Sequence, residues 1–126
     1  MNKIEKFYEY IVIGAGSGGL ASGRWAAKKY GTKVAVIEHK RIGGTCVNVG
    51  CMPKKVSYFV SEYMNHQKLF KEYGIQISEM KLDYKMFKQQ RENYIQRLNN
   101  IYHDLVKQSK VDYYKGFGKF IDNKTV

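Results

Sequence analysis

Cys46 and Cys51 are the only two cysteines in the chain, with four residues between them. Five positions apart in a regular helix, their Cα atoms would be roughly 8–9 Å apart from helix geometry. That exceeds the limit of about 7 Å for a disulfide. Gly50 between them and Pro53 just after suggest instead that Cys46 sits off the helix and the chain bends before Cys51. A bridge closing so short a loop is strained, and strained disulfides are the easier ones to reduce. Cys51 would stand near the N-terminus of the helix, where the dipole favours thiolate. Lys54 and Lys55 add positive charge. The pattern points to a catalytic dithiol. A structural disulfide, two inert thiols and a zinc site are the alternatives, although His39, His66 and His103 lack finger-like spacing to the cysteines.

A second feature lies upstream. Gly14-Ala15-Gly16-Ser17-Gly18-Gly19 fits G-x-G-x-x-G. Gly14 would make a tight turn, Gly16 would let a pyrophosphate approach the backbone, and Gly19 would let a helix pack close to a sheet. The phosphates would sit on the free N–H groups at the start of that helix. Glu38 follows Gly19 by 19 residues, where an acid bonds the ribose hydroxyls of an adenine dinucleotide. The glycine pattern by itself does not separate FAD from NAD. A tight turn with no ligand is the plainer reading, and the surrounding elements argue against it.

Those elements must position both features. Residues 8–13 read as a buried-type strand, residues 18–30 as a helix stopped by Gly31, and residues 34–38 as a second apolar strand. This βαβ unit implies a parallel sheet covered on two faces. A glycine-broken loop over residues 43–51 should follow. A helix with Pro53 in its first turn should then reach about Phe70 or Tyr73, with Val56, Phe59, Val60, Tyr63 and Met64 on one face. Asp83 is a good N-cap for a longer helix whose stripe reads Phe87, Tyr94, Leu98, Ile101, Tyr102 and Leu105. Residues 111–120 read as a last strand interrupted at Gly116-Phe117-Gly118.

Composition sets the outer bounds. The chain has 126 residues, 44% of them hydrophobic, which is enough to bury a core and excludes a disordered tail. Length alone predicts one small, soluble, complete domain. No apolar run approaches the roughly 18 residues a membrane span needs. The start, Met1 to Lys6, has no signal-peptide pattern, and no Arg precedes Arg24, which argues against a transit peptide. The net charge of +11 invites a nucleic-acid reading. Its lysines are scattered and only four arginines occur, so a solvated basic surface is the better account and no nucleic-acid partner is expected.

Taken together, Gly14 to Gly19, Glu38 and the run Gly43-Gly44-Thr45-Cys46-Val47-Asn48-Val49-Gly50-Cys51-Met52-Pro53-Lys54-Lys55 resemble the N-terminal part of the flavin-dependent pyridine nucleotide–disulfide oxidoreductases. Lys54-Lys55 after Pro53 is similar to the glutathione, trypanothione and large thioredoxin reductase branches. The segment from Arg91 to Tyr102 looks most like the glutathione reductase branch.

The resemblance implies a Rossmann-like FAD-binding α/β domain with a parallel sheet, incomplete relative to the family. It implies FAD contacts from Gly14, Gly16, Ser17, Gly18, Gly19, Glu38, Gly44, Thr45, Cys46 and Lys54, with Gly118 near the adenine. Cys51 would be the thiol beside the flavin, Cys46 the thiol that attacks the disulfide substrate, and Lys54 an aid to hydride transfer. Ser17, Arg24 and Tyr102 match positions that line a glutathione site. Arg24 as an exposed helix residue and Tyr102 as a core aromatic are the competing readings.

NADPH would be the hydride donor, glutathione disulfide the substrate, and the complete protein a homodimer in the cytoplasm or, in another form, the mitochondrion. No membrane partner is expected. By the same resemblance, residues 1–126 would be the N-terminal part of the FAD-binding domain, with the NADPH-binding and dimerisation domains outside the chain and the fragment inactive alone. A thioredoxin or trypanothione reductase and a non-catalytic nucleotide-binding module are the alternatives. Trp25 has no assigned role.

Overall fold

The computed structural model describes residues 5–126; Met1 to Ile4, on which part of the leader reading rests, lie outside them. Strand β1 (Tyr10–Ile13) leads into helix α1 (Ser17–Tyr30) and strand β2 (Val34–Glu38). Gly31 closes α1 in the left-handed region at φ 68°, a conformation that favours glycine. A short helix α2 (Gly44–Asn48) comes next, then α3 (Cys51–Asn65), α4 (Gln67–Glu72), the long α5 (Tyr84–Gln108) and strand β3 (Asp112–Lys115).

The sheet is parallel in the order β1-β2-β3, with Tyr10 opposite Val34 and Ala35 opposite Asp112. The central strand β2 is almost wholly buried. Helix α1 lies against the side chains of Val12, Val34 and Val36, where Gly23 presents no Cβ. Leu20, Ile42, Val106 and Val111 complete this core, and Tyr102 and Tyr113 pack on it. So α1 and α5 share one face.

The expectation of a sheet covered by elements on both faces does not hold among the described residues. Alternation puts Ile11, Ile13, Ala35 and Ile37 on the far face, where Ile13 is 45% exposed. What stands there is non-helical chain, including Gly118 over Ile13 and Ile37 and the segment around Tyr8, whose hydroxyl bonds Asp112 and Tyr114 of β3 at 2.5 Å each. A near-continuous apolar run in β2 reflects its central place in the sheet rather than two complete helical layers.

Five further expectations are corrected. Residues 43–51 are not one loop, because α2 forms within them. The helix from Cys51 breaks at His66 before resuming as α4, although backbone bonds continue across the joint from His66 N to Glu62 O and Phe70 N to His66 O. Its supposed inner face leaves Phe59 and Tyr63 exposed, and none of its residues is buried. Helix α5 starts where expected, with the Asp83 carboxylate accepting from Met86 N at 2.9 Å. Its buried line is however Ile95, Asn99 and Val106, one position off the expected stripe, and Ile101 is exposed. The last strand is only four residues long.

Candidate functional site

The glycine turn has the form its spacing predicts. Gly14 is at φ 103°, which favours glycine, and its N–H donates to Ile37 O at 2.8 Å, so the turn is bonded to the end of β2. Gly19 is the packing glycine. A Cβ there would stand 2.1 Å from the Gly14 carbonyl oxygen and 2.8 Å from Val12 Cγ1. Gly16 caps α1 without a side-chain hydrogen bond, and the first turn of that helix carries no acidic residue. The first N–H groups of a 14-residue helix are therefore left to an outside acceptor, and the dipole there favours an anion. Ser17 and Gly18 are exposed at this end, and a Cβ on Gly18 would meet nothing within 4 Å.

Glu38 is buried at the tip of β2. Its Oε2 accepts from Ala15 N at 2.8 Å and its Oε1 from Lys40 N at 2.8 Å, with His39 Nδ1 at 3.3 Å. The carboxylate thus holds the glycine turn from beneath, and Oε2, with one partner, keeps a lone pair for a further donor such as a ribose hydroxyl. Glu38, Lys40, Arg41, Gly44, Thr45 and Asn48 line one cavity of about 350 Å³. Gly116 N donates to Glu38 O at 2.9 Å, and Gly118 passes over Ile13 and Ile37, where a Cβ would be 3.1 Å from Ile13. Gly118 therefore lies at the same end of the sheet as the turn and the acid.

The thiol-bearing segment is docked directly onto this turn. Gly43 N donates to Ala15 O at 2.7 Å. Gly44, at φ 62°, approaches so closely that a Cβ would lie 2.8 Å from Gly16 Cα. Cys46 sits in α2 and Cys51 opens α3, with Val49 and Gly50 between the two helices. Cys46 is therefore off the helix that carries Cys51, as expected, but it has a short helix of its own.

Both thiols are free, Cys46 half-buried and Cys51 exposed. The hydrogen bond to Cys51, then burial, pushes the Cys46 thiol above its ordinary range, while Lys55 pulls it down. Lys54 lies in the first turn of α3, its N–H bonded to Gly50 O and its ammonium 5.5 Å from the centre of the Tyr58 ring.

The three residues matched to a disulfide substrate are placed as follows. Arg24 is half-buried and donates from Nε to Ser109 Oγ at 3.2 Å, at the end of α5. It also lines a cavity of about 550 Å³ with Trp25 and Lys28. Tyr102 lies two turns before Ser109 and packs on the core while remaining half-exposed, so it serves as a core aromatic with an open edge. Ser17 begins α1, two turns before Arg24.

Sequence reading missed Asn48 and Asn99, a buried amide pair beside the thiols. No local signal marks Asn99, because its partners are 51 and 57 residues away. Among the described residues no group of three or more His, Cys, Asp or Glu is placed to hold a metal ion. No helix among them is long and apolar enough to cross a membrane.

A parallel βαβ unit with a glycine turn, an acid under that turn and a thiol pair docked on it define a Rossmann-like α/β protein with redox-type cysteines. The chain belongs to the pyridine nucleotide-disulphide oxidoreductase family, whose model matches residues 8–126. It is 45% identical over 123 residues to a glutathione reductase of Debaryomyces hansenii, covering 92% of this chain and 25% of the relative. It is 46% identical over 123 residues to one of Schizosaccharomyces pombe, covering 96% and 26%. A glutathione reductase of Yarrowia lipolytica is 46% identical over 114 residues, covering 87% and 24%. The chain thus spans about a quarter of the length of these curated relatives.

Proposed function

We propose that this chain carries the FAD turn and the reactive dithiol of an NADPH-dependent glutathione-disulfide reductase. One observation carries the reading: Gly44, two residues before Cys46, rests so closely on Gly16 of the glycine turn that a Cβ on Gly44 would lie 2.8 Å from the Gly16 Cα. The nucleotide turn and the thiol pair are therefore one site. The residues fit FAD, since the uncapped α1 N-terminus suits a pyrophosphate, Gly16 and Gly18 leave room for it, and Glu38 suits a ribose.

The chemistry FAD supplies when bound is the two-electron link between NADPH and the Cys46–Cys51 disulfide. The cysteines do the rest. The Cys46 sulfur attacks one sulfur of glutathione disulfide, forming a mixed disulfide and releasing one glutathione. The Cys51 sulfur then attacks Cys46, closing the internal disulfide and releasing the second. Cys51 takes the flavin side and Lys54, one turn on, lies beside it. Arg24 offers its guanidinium to a substrate carboxylate, with Ser17 and Tyr102 lining the same approach. Thr45 and Gly118 complete the nucleotide contacts.

Glutathione disulfide is favoured over thioredoxin or trypanothione disulfide by the names of the relatives. We place the complete protein in the cytoplasm as a homodimer. Residues 1–126 form the N-terminal part of the FAD domain and hold one dinucleotide turn. Alone they bind FAD weakly and do not turn over, and NADPH-dependent glutathione-disulfide reduction by the purified chain would contradict that.

A flavin-fluorescence titration tests the site. FAD binds saturably, ADP competes, and Glu38→Gln weakens binding about tenfold, matching the roughly 1.5 kcal/mol of one hydrogen bond to a charged group. Equal binding by Glu38→Gln would move the nucleotide elsewhere.

A further inference from the structure

Helix α2 has five residues, too few to be stable by themselves. Neither end has a side-chain cap: Gly43 precedes it at φ 97° and Val49 follows it. Its shape must come from bonds to the rest of the protein. Two buried amides supply them. Asn48 Nδ2 donates to Ile42 O at 3.0 Å and Gly44 O at 2.9 Å, closing the helix on itself. Asn99 Nδ2, from α5, donates to the same Ile42 O at 2.8 Å and to Asn48 Oδ1 at 3.0 Å. An amide nitrogen has two hydrogens, and Asn99 gives both to the segment that carries Cys46.

We propose that Asn99 is a positioning residue for the dithiol, holding the Cys46 helix through Ile42 and Asn48 so that the two sulfurs stay within bonding reach. This rests on the reading of Cys46 and Cys51 as a redox pair. Asn99 is 4% exposed, and a buried amide costs stability unless fully bonded. The two residues it bonds bracket Cys46. Gly50 turns tightly against Cys46, where a Cβ would be 3.3 Å from the Cys46 Cα, so a tilt of α2 changes the sulfur separation directly. Disulfide closure needs Cα atoms within about 7 Å and specific torsions. Holding the thiols near that geometry raises their effective concentration. Asn99 also lies one turn before Tyr102, so the helix that walls the proposed substrate approach is the one that sets Cys46.

The test equilibrates the full chain with glutathione and glutathione disulfide at graded ratios, then quenches and counts free thiols by mass. In this exchange the Cys46–Cys51 bond breaks as a glutathione S–S bond forms. The two electrons and two protons given up by glutathione end on the cysteines. Asn99→Ala lowers the constant for closing the internal disulfide about tenfold, a potential about 30 mV more oxidising. Asn99→Ser, which keeps one donor, shifts it less and carries the comparison if the alanine variant does not fold. Ile95→Ala, one turn earlier on the buried line, lowers the melting temperature without moving the constant. Equal shifts in Asn99→Ala and Ile95→Ala, or no shift in either asparagine variant, would overturn the positioning role alone. A wild-type chain that forms no internal disulfide at any ratio would overturn the redox-pair reading and this inference with it.

Discussion

Gly19→Ala is expected to lower the melting temperature by roughly 10 °C, following from a loss of roughly 3 kcal/mol in a domain of this size. The new Cβ would sit 2.1 Å from the Gly14 carbonyl oxygen. That oxygen is backbone in a turn tied to Ile37 and Glu38, so it cannot swing aside as a side chain would. Relief requires α1 to move off β1. This would open the Val12–Leu20 contact region of the core and displace the N–H groups proposed for the pyrophosphate. Gly18→Ala is the control, because its Cβ meets nothing and alanine suits a helix better than glycine. Thermal unfolding of the two variants should differ in sign or by at least several degrees. A Gly19→Ala chain as stable as Gly18→Ala would show that α1 does not pack as described.

Cys51→Ala has the next largest effect, and it is chemical. The internal disulfide cannot form, so exposure to glutathione disulfide leaves glutathione attached at Cys46 with no resolving thiol. The same change moves the reactivity of Cys46. Its thiol is held above the ordinary range chiefly by the bond to Cys51, and a raised thiol has less thiolate at any given pH. Losing that bond brings the midpoint down. The alkylation rate of Cys46 near neutral pH therefore rises, and its pH profile shifts to lower pH. Rate profiles with iodoacetamide, read by mass, check this. An unchanged or upward-shifted profile would mean that Cys51 is not the group holding the Cys46 thiol.

The parts of the fold that local chemistry dictates were legible from the sequence. The first strand, α1 and its Gly31 stop, β2, and the Asp83 cap follow from glycine at positive φ, apolar runs and a capping carboxylate. Each depends on neighbours a few positions away. Helix α2 was not legible, because five residues show no periodicity and glycines at 43, 44 and 50 read as loop. The face of α5 was misread for a related reason. A polar residue counts as outward in a periodicity argument, yet Asn99 is inward, since the Ile42 carbonyl meets it from 57 residues away. Once Asn99 is inside, the buried line runs through Ile95 and Val106 rather than Leu98 and Ile101.

At the candidate site, residue types were legible and contacts were not. Glu38 was expected to face a ribose, and the structure shows its carboxylate pinning Ala15 and Lys40 from beneath the turn, a role spacing did not suggest. The docking of Gly44 on Gly16 could not be read from spacing, because it brings together the starts of two helices 28 positions apart. It is that contact which brings the glycine turn and the cysteine-bearing segment together.

The measurement that tests this union most directly is the alkylation rate of Cys51 and Cys46, mapped by mass, with the chain free, with ADP and with FAD at saturation. Cys51 is exposed in the free chain. If the thiol pair lies on the flavin side of the nucleotide turn, FAD slows Cys51 strongly, ADP leaves it unchanged, and Cys46 stays open to reagent. FAD that binds without protecting Cys51, or protection by ADP alone, would contradict the account.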